Sequence, residues 1–382
     1  MSIEEQFRQL STCAIHGTPS DDDFPDVAVP MRMSTTFKYD KNPDPDVKER
    51  DLWYSRISHP TNTQVEGVLE KLLGGPTLAF SCGLAAFHTL MFSLNPKTVF
   101  IATPSYHGVH AILHRLAENY GLKVHDLDAD PSLLQPGDVI HLETPVNPLG
   151  TARNIKQYVD IAHSRGALVV VDSTFAPPPI SNPLDFGADI VHHSGSKYFG
   201  GHSDLLAGTL TFKDSALYRK VDKDRLLLGT ISPPMESWLL LRSLRTYPLR
   251  VRAQCENANA LVKYLVEHQE ELPLLKSVTH ATLQEENWVK EQLPLGGPPT
   301  FQLLCVSREA AKAVATSVKL FHHCTSLGGI ESMLEWRILS DPEADPAAVR
   351  VSVGAERLED IIEDLANALK GVEDLVNALK GV

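Results

Sequence analysis

Basic residues are in short supply in this chain of 382 residues: 35 lysines and arginines stand against 48 aspartates and glutamates, a formal net charge of −13. No basic tail or stripe offsets that balance, so a nucleic-acid partner is not expected. Cysteine is also sparse. Cys13, Cys82, Cys255, Cys305 and Cys324 are scattered and odd in number, with no CxxC spacing. That pattern excludes a disulfide scaffold and fits reduced thiols in a cytoplasmic protein. No apolar run approaches the roughly 20 residues needed to cross a bilayer, so no membrane partner is expected either. The opening Met1-Ser2-Ile3-Glu4-Glu5-Gln6 is too acidic for a transit peptide and lacks the basic-then-apolar order of a secretion signal. HExxH is missing, and His107, His110, His192, His193, His322 and His323 give no spacing for a four-ligand set, so no metal is expected. What is present is 43% hydrophobic and 22% charged, the composition of a globular enzyme-like chain long enough for two domains.

Three stretches differ in texture. Residues 1–50 are rich in Pro, Asp and short polar runs such as Asp21-Asp22-Asp23, which predicts an extended arm. Residues 51–234 alternate short apolar runs with helical patterns: 98–102, 138–142, 168–171 and 189–191 read as buried strands, 108–120 and 154–165 as helices. That alternation predicts an α/β domain with a mostly parallel sheet and ligand groups at strand ends. Residues 235–382 predict a smaller α/β domain: a long helix over 235–268 broken near Pro248, strands at 300–306 and 349–353, and a helix over 358–369. The segment 363–372 is followed by a near copy, 373–382, differing only at Val376. Two such units fall short of the three or more that a solenoid stacks, and no catalytic role is assigned to them.

The most informative stretch is Ser194-Gly195-Ser196-Lys197-Tyr198-Phe199-Gly200-Gly201-His202-Ser203-Asp204. A lysine just after two hydroxyl residues suits an amine that must form an imine with an aldehyde, because its ammonium is costly to bury unpaired. Upstream by 25 residues, Val169-Val170-Val171-Asp172 is an apolar strand ending in a carboxylate. A strand-end acid and a downstream lysine fit the pyridinium partner and imine-forming amine of pyridoxal 5'-phosphate, PLP. Either residue alone would be read as a helix cap or a surface charge; together, with hydroxyls placed for a phosphate, they point to the cofactor.

Further motifs carry a resemblance. Tyr54-Ser55-Arg56-Ile57-Ser58-His59-Pro60-Thr61, Ser81-Cys82-Gly83-Leu84-Ala85-Ala86, Glu143-Thr144-Pro145-Val146-Asn147-Pro148, Ser326-Leu327-Gly328-Gly329-Ile330-Glu331-Ser332 and Arg350-Val351-Ser352-Val353-Gly354 join the lysine and aspartate runs. Over about 13–369 the chain resembles the γ-family of PLP enzymes of Cys/Met metabolism (trans-sulfuration), cystathionine γ-synthase-like and closest in look to its fungal branch. The resemblance implies the aspartate-aminotransferase-like fold (fold type I). It places the cofactor phosphate on Gly83 and Leu84, at a helix start where free N–H groups and the dipole favour an anion, and on Ser194 and Ser196. Tyr54 and Arg56 would reach the phosphate in the neighbouring subunit, Arg56 by a bidentate grip. Tyr106 would stack on the ring and assist proton transfer, and Asp172 would keep the ring nitrogen protonated. Arg350 would take the substrate α-carboxylate, with Asn147, Ser332 and Glu331 also on the substrate side. A homodimer-based assembly with shared sites follows, and homotetramers are usual in the family.

The implied reaction acts on an amino acid: Lys197 moves protons as general acid and base, and a group leaves Cγ. The expected activity is γ-replacement on an O-activated homoserine, with the O-acetyl ester as donor and cysteine, sulfide or a carbon acid as nucleophile. The alternatives are a cystathionine or methionine γ-lyase and a PLP-binding protein without catalysis. Two departures bear on the nucleophile. His59 stands where an asparagine is usual, and Ser340-Asp341-Pro342-Glu343-Ala344-Asp345-Pro346 replaces the usual Thr-His-Ala stretch, so both are expected to reshape the acceptor pocket.

Overall fold

The structure is a computed structural model that describes residues 3–19, 26–39 and 52–371. Helix α1 (Ile3–His16) opens the chain, where an extended arm was expected. It buries Phe7 and Ala14 and carries Glu4 and Glu5 in its first turn, where the helix dipole favours them. Residues 26–39 are irregular, tied down by Trp238 Nε1 donating to the Val29 carbonyl at 2.9 Å. The triple aspartate and the second copy of the C-terminal repeat lie outside the described residues.

Helix α2 (Pro60–Leu73) leads into β1 (Thr77–Phe80), α3 (Gly83–Leu94), β2 (Thr98–Ile101), α4 (His107–Tyr120) and β3 (Lys123–Asp126). Then follow β4 (Val139–Glu143), α5 (Ile155–His163), β5 (Leu168–Asp172), β6 (Ile190–Ser194) and β7 (Gly208–Phe212). The strands form one sheet in the order β1-β7-β6-β5-β4-β2-β3. Pairing from β3 to β6 is parallel, and β7 runs antiparallel to both neighbours. The central strands are buried on both faces, which is why they read as unbroken β-branched runs. Strand β7, Gly-Thr-Leu-Thr-Phe, was not foreseen because alternating threonine looks half-exposed; in fact Thr209 and Thr211 are fully buried, and Thr211 bonds Thr77 at 3.0 Å.

Helices α6 (Ser215–Leu228), α7 (Pro234–Leu244) and α8 (Tyr247–Glu267) follow. The break expected near Pro248 falls between α7 and α8. Pro248 sits in the first turn of α8, where a missing N–H costs nothing, so it starts a helix rather than kinking one. Beyond it come β8 (Leu275–Thr279), α9 (Asn287–Gln292), β9 (Thr300–Cys305), α10 (Arg308–Ser317), β10 (His322–His323), β11 (Met333–Trp336), β12 (Ala348–Ser352) and α11 (Leu358–Lys370). They build a second sheet, β10-β11-β12-β9-β8. Its core takes Ala258, Leu261 and Leu265 from the C-terminal half of α8, whereas Tyr247, Val251 and Cys255 from the N-terminal half join the core around α2 and α7. One helix is thus shared by the two cores.

Candidate functional site

The C-terminal ends of β4, β5 and β6 lie side by side, with Glu143 opposite Asp172 and Asp172 opposite His192. Parallel strands put ligand groups at such ends. A cavity of about 650 Å³ opens there, lined by residues of both sheets' domains. Of the residues singled out in the sequence, Gly83, Leu84, Tyr106, Asn147, Asp172, Ser194, Ser196, Lys197 and Arg350 line it. Tyr54, Arg56, Glu331 and Ser332 do not.

Lys197 Nζ donates to Ser326 Oγ at 2.8 Å. Burial first, and Arg350 second, bring its ammonium down to about 8, much closer to neutrality than an ordinary lysine. Ser326 has φ of 95°, unusual for a non-glycine residue. That twist turns its hydroxyl to Lys197 and its carbonyl to Arg350 Nη2 at 2.9 Å. Arg350 also donates to Asn147 Oδ1 at 3.1 Å and pairs with Glu335 Oε2 at 2.7 Å. Arg337, buried and cavity-lining, shares that same Glu335 oxygen at 2.9 Å and reaches Ser340 Oγ at 3.2 Å. Arg337 also meets Asp341 Oδ2 at 3.5 Å, so the two guanidiniums of this wall face two carboxylates, and Arg350, which lines the cavity beside Asn147, offers the forked geometry that suits an incoming carboxylate.

Burial alone would raise the Asp172 carboxyl, but His192 and the Thr174 N–H, 2.9 Å from Oδ1, hold it well below the ordinary carboxylate range. It is an anion inside the cavity. Burial and the nearby Asp172 push the Glu143 carboxyl up. Glu143 accepts from the backbone N–H of Tyr106 at 2.7 Å and of Asn147 at 2.8 Å, so it positions both loops. The sequence presents Glu143 at the head of its motif, but only the register opposite Asp172 shows its work. Ser326, Glu335 and Arg337 were likewise missed as site residues; charges inside the apolar run 333–337 were the available signal. His141, Asp172 and His192 bring possible ligand atoms within 4.8 Å of one another, a cluster that spacing hides because three strands supply it.

Three expectations change. His59 does not shape the cavity: it is fully buried and caps α2, its Nδ1 accepting from Asn62 N–H at 3.1 Å and its Nε2 meeting the Ser232 carbonyl at 2.8 Å. Ser332 does not line the cavity: its N–H and hydroxyl go to Glu356 at 2.6 and 2.9 Å and its oxygen accepts from Gly354 N–H. Glu331 lies off the cavity, its Oε2 buried beside Gly329. By contrast Ser340, from the departing segment, does line the cavity.

The donor set fits PLP. Helix α3 begins at Gly83 with Cys82 as its cap, Cys82 Sγ accepting from Ala85 N–H at 3.4 Å. The N–H groups of Gly83 and Leu84 precede the helical ladder and remain for an anion. A side chain on Gly83 would press against Ser194, its Cβ 3.3 Å from that of Ser194. The Ser194 hydroxyl stands by the same helix start, while Ser196 Oγ is engaged by Ala207 N–H at 2.9 Å. Lys197, Asp172 and the ring of Tyr106 then surround the remaining space.

Comparison with known proteins agrees. The profile of the family "Cys/Met metabolism PLP-dependent enzyme" matches residues 11–370. The chain is 32% identical to the cystathionine gamma-lyase of Dictyostelium discoideum, over 94% of this chain and 97% of that one. It is also 32% identical to the cystathionine gamma-synthase/O-acetylhomoserine (thiol)-lyase of Bacillus subtilis, over 92% and 94%. Among solved structures, metB from Corynebacterium glutamicum superposes with a TM-score of 0.87 at 27% identity, over 94% of this chain and 97% of that one. Yeast cystathionine gamma-lyase does so with 0.85 at 31%, over 95% and 98%. The two-sheet architecture is that of fold type I, PLP is the cofactor, and the chain belongs to the Cys/Met metabolism family of PLP-dependent enzymes.

Proposed function

We propose that this enzyme carries out γ-replacement on an O-activated homoserine, in the manner of a cystathionine γ-synthase. The observation that carries this reading is the cavity wall beside Arg350. Arg337 and Ser340 extend the polar lining past the point where one amino acid's carboxylate would be held, which provides for a second polar molecule.

Lys197 would hold PLP through its amine, Asp172 would face the ring nitrogen, and the start of α3 with Ser194 and Ser196 would hold the phosphate. Bound PLP supplies an electron sink for the bonds at the substrate's Cα and Cβ. The chain's own residues do the rest. Arg350, oriented by Asn147 and Glu335, takes the α-carboxylate. Lys197, brought down to about 8, is matched to lifting the Cα proton and returning it further along the chain. Tyr106 closes one face, its backbone held by Glu143. Tyr54 and Arg56 would complete the site of a second copy in a homodimer-based assembly: both lie off their own chain's cavity, and Arg56 Nη1 rests on the Leu226 carbonyl at 2.7 Å.

A γ-lyase is the second reading, favoured by relatives of that name at 32–33% identity. Incubation with O-acetylhomoserine and, separately, cysteine, sulfide or a carbon acid, with products identified by mass spectrometry, separates the two. An adduct at Cγ supports replacement. A keto acid and ammonia with no adduct makes the protein a lyase instead.

A further inference from the structure

His192 takes part in no step described so far, yet it is buried and lines the cavity. Strand β6 places its ring between two acceptors. Nδ1 lies 3.2 Å from Asp172 Oδ2, a charge pairing rather than a well-aligned hydrogen bond. Nε2 lies 3.0 Å from the carbonyl oxygen of Gly83. A carbonyl only accepts, so Nε2 is the donor to Gly83, and Nδ1 is left facing the carboxylate oxygen at contact distance. The other carboxylate oxygen takes the Thr174 N–H, so Asp172 is pinned at both ends. Gly83 in turn is the first residue of α3, and a Cβ on Gly208 of the neighbouring β7 would fall on the Cys82 carbonyl. The helix start therefore has little freedom of its own.

We propose that His192 is a positioning residue that couples the two ends of the cofactor site. One nitrogen holds the Asp172 carboxylate toward the ring nitrogen. The other fixes the Gly83 carbonyl, and with it the first N–H groups of α3, where the phosphate docks. Loosening either end then loosens the other. The inference rests on the roles given above to Asp172 and Gly83.

Three substitutions test it. An Asn side chain puts an amide near the Nδ1 position and a Gln side chain near the Nε2 position, whereas Leu keeps bulk and offers neither. Cofactor-free His192→Leu, His192→Asn and His192→Gln proteins are titrated with PLP and, separately, with pyridoxal, which has no phosphate. Affinity and the visible absorbance band are read, with unfolding temperature measured alongside. His192→Leu is expected to bind PLP up to roughly tenfold more weakly, the range for losing one neutral hydrogen bond, with a displaced band. Asn should restore the band but not the preference for PLP over pyridoxal; Gln should do the reverse. A Leu variant with native affinity and band overturns the proposal. So do Asn and Gln variants that cannot be told apart, and that comparison decides the matter if the Leu variant fails to fold. Asp172→Asn isolates the premise. If it binds with native affinity and band, the role given to Asp172 falls; if it is defective while His192→Leu is silent, only the coupling falls.

Discussion

Lys197 concentrates the chemistry because it is a cation held where a cation is penalised. Burial and the Arg350 guanidinium both act against its charge, and the Ser326 hydroxyl is the partner that orients it. Lys197→Ala is therefore expected to fold, to bind PLP without the covalent link, and to lose turnover by several orders of magnitude; borohydride reduction followed by peptide mapping should find the label on Lys197 in the parent and nowhere in the variant. The same depression has a consequence for stability. Lys197 in the fold titrates near 8, below its value in an unfolded chain, so between those two the unfolded state binds more protons and stability rises with pH. Urea unfolding of the cofactor-free protein should show a gain from pH 8 to pH 10 that is smaller in Lys197→Met. An equal gain in both would mean that the amine is not penalised where it stands.

The elements show which parts of this site a sequence can display. Asp172 and Lys197 were readable because each ends or follows a long β-branched run, so strand and strand-end declare themselves together. Gly83 and Leu84 were readable as a glycine at a helix start. Glu143 and His192 were not, because their work depends on which strand lies beside which, and register is set by the whole sheet. Arg337 and Glu335 hid in a run whose apolar neighbours promised a plain strand. His59 misled in the opposite sense: a histidine at an unusual place looked like pocket chemistry but is a helix cap with both nitrogens used. His59→Ala should thus cost roughly 1–2 kcal/mol in thermal or urea unfolding, the range of a lost cap, with KM for the acceptor unchanged. Gly208 on β7 is the sharper case. Any Cβ there would strike the Cys82 carbonyl and lie 2.8 Å from the Gly83 nitrogen. Gly208→Ala should cost about 1–3 kcal/mol by overpacking and weaken PLP binding, since the part displaced is the helix start proposed to bind the phosphate. Native affinity in that variant would show that α3 can move without loss.

At the scale of the molecule, two cores meet along α8, and the cavity sits where the sheets' domains face each other. Lys197 and Asp172 come from one side, Arg350 and Ser326 from the other, so small movements between the cores would change the grip on the carboxylate before they touch the cofactor. Tyr54 and Arg56, proposed to complete the phosphate site of a neighbouring chain, lie off their own cavity and are exposed, Arg56 against α6. A shared site makes a distinctive prediction, because a defect in Arg56 and a defect in Lys197 would then damage different chains' contributions to one centre. Arg56→Ala and Lys197→Ala proteins should each be nearly inactive alone. Mixed in equal amounts and allowed to exchange subunits, half the dimers are hybrids, and each hybrid has one intact site and one doubly damaged one. Activity should recover to about a quarter of the native value per chain, the figure a two-fold assembly dictates. Recovery to that level, read against the unmixed variants at the same total concentration, places Arg56 in the neighbour's centre; no recovery despite demonstrated exchange would leave Arg56 as the brace of Leu226 in its own chain.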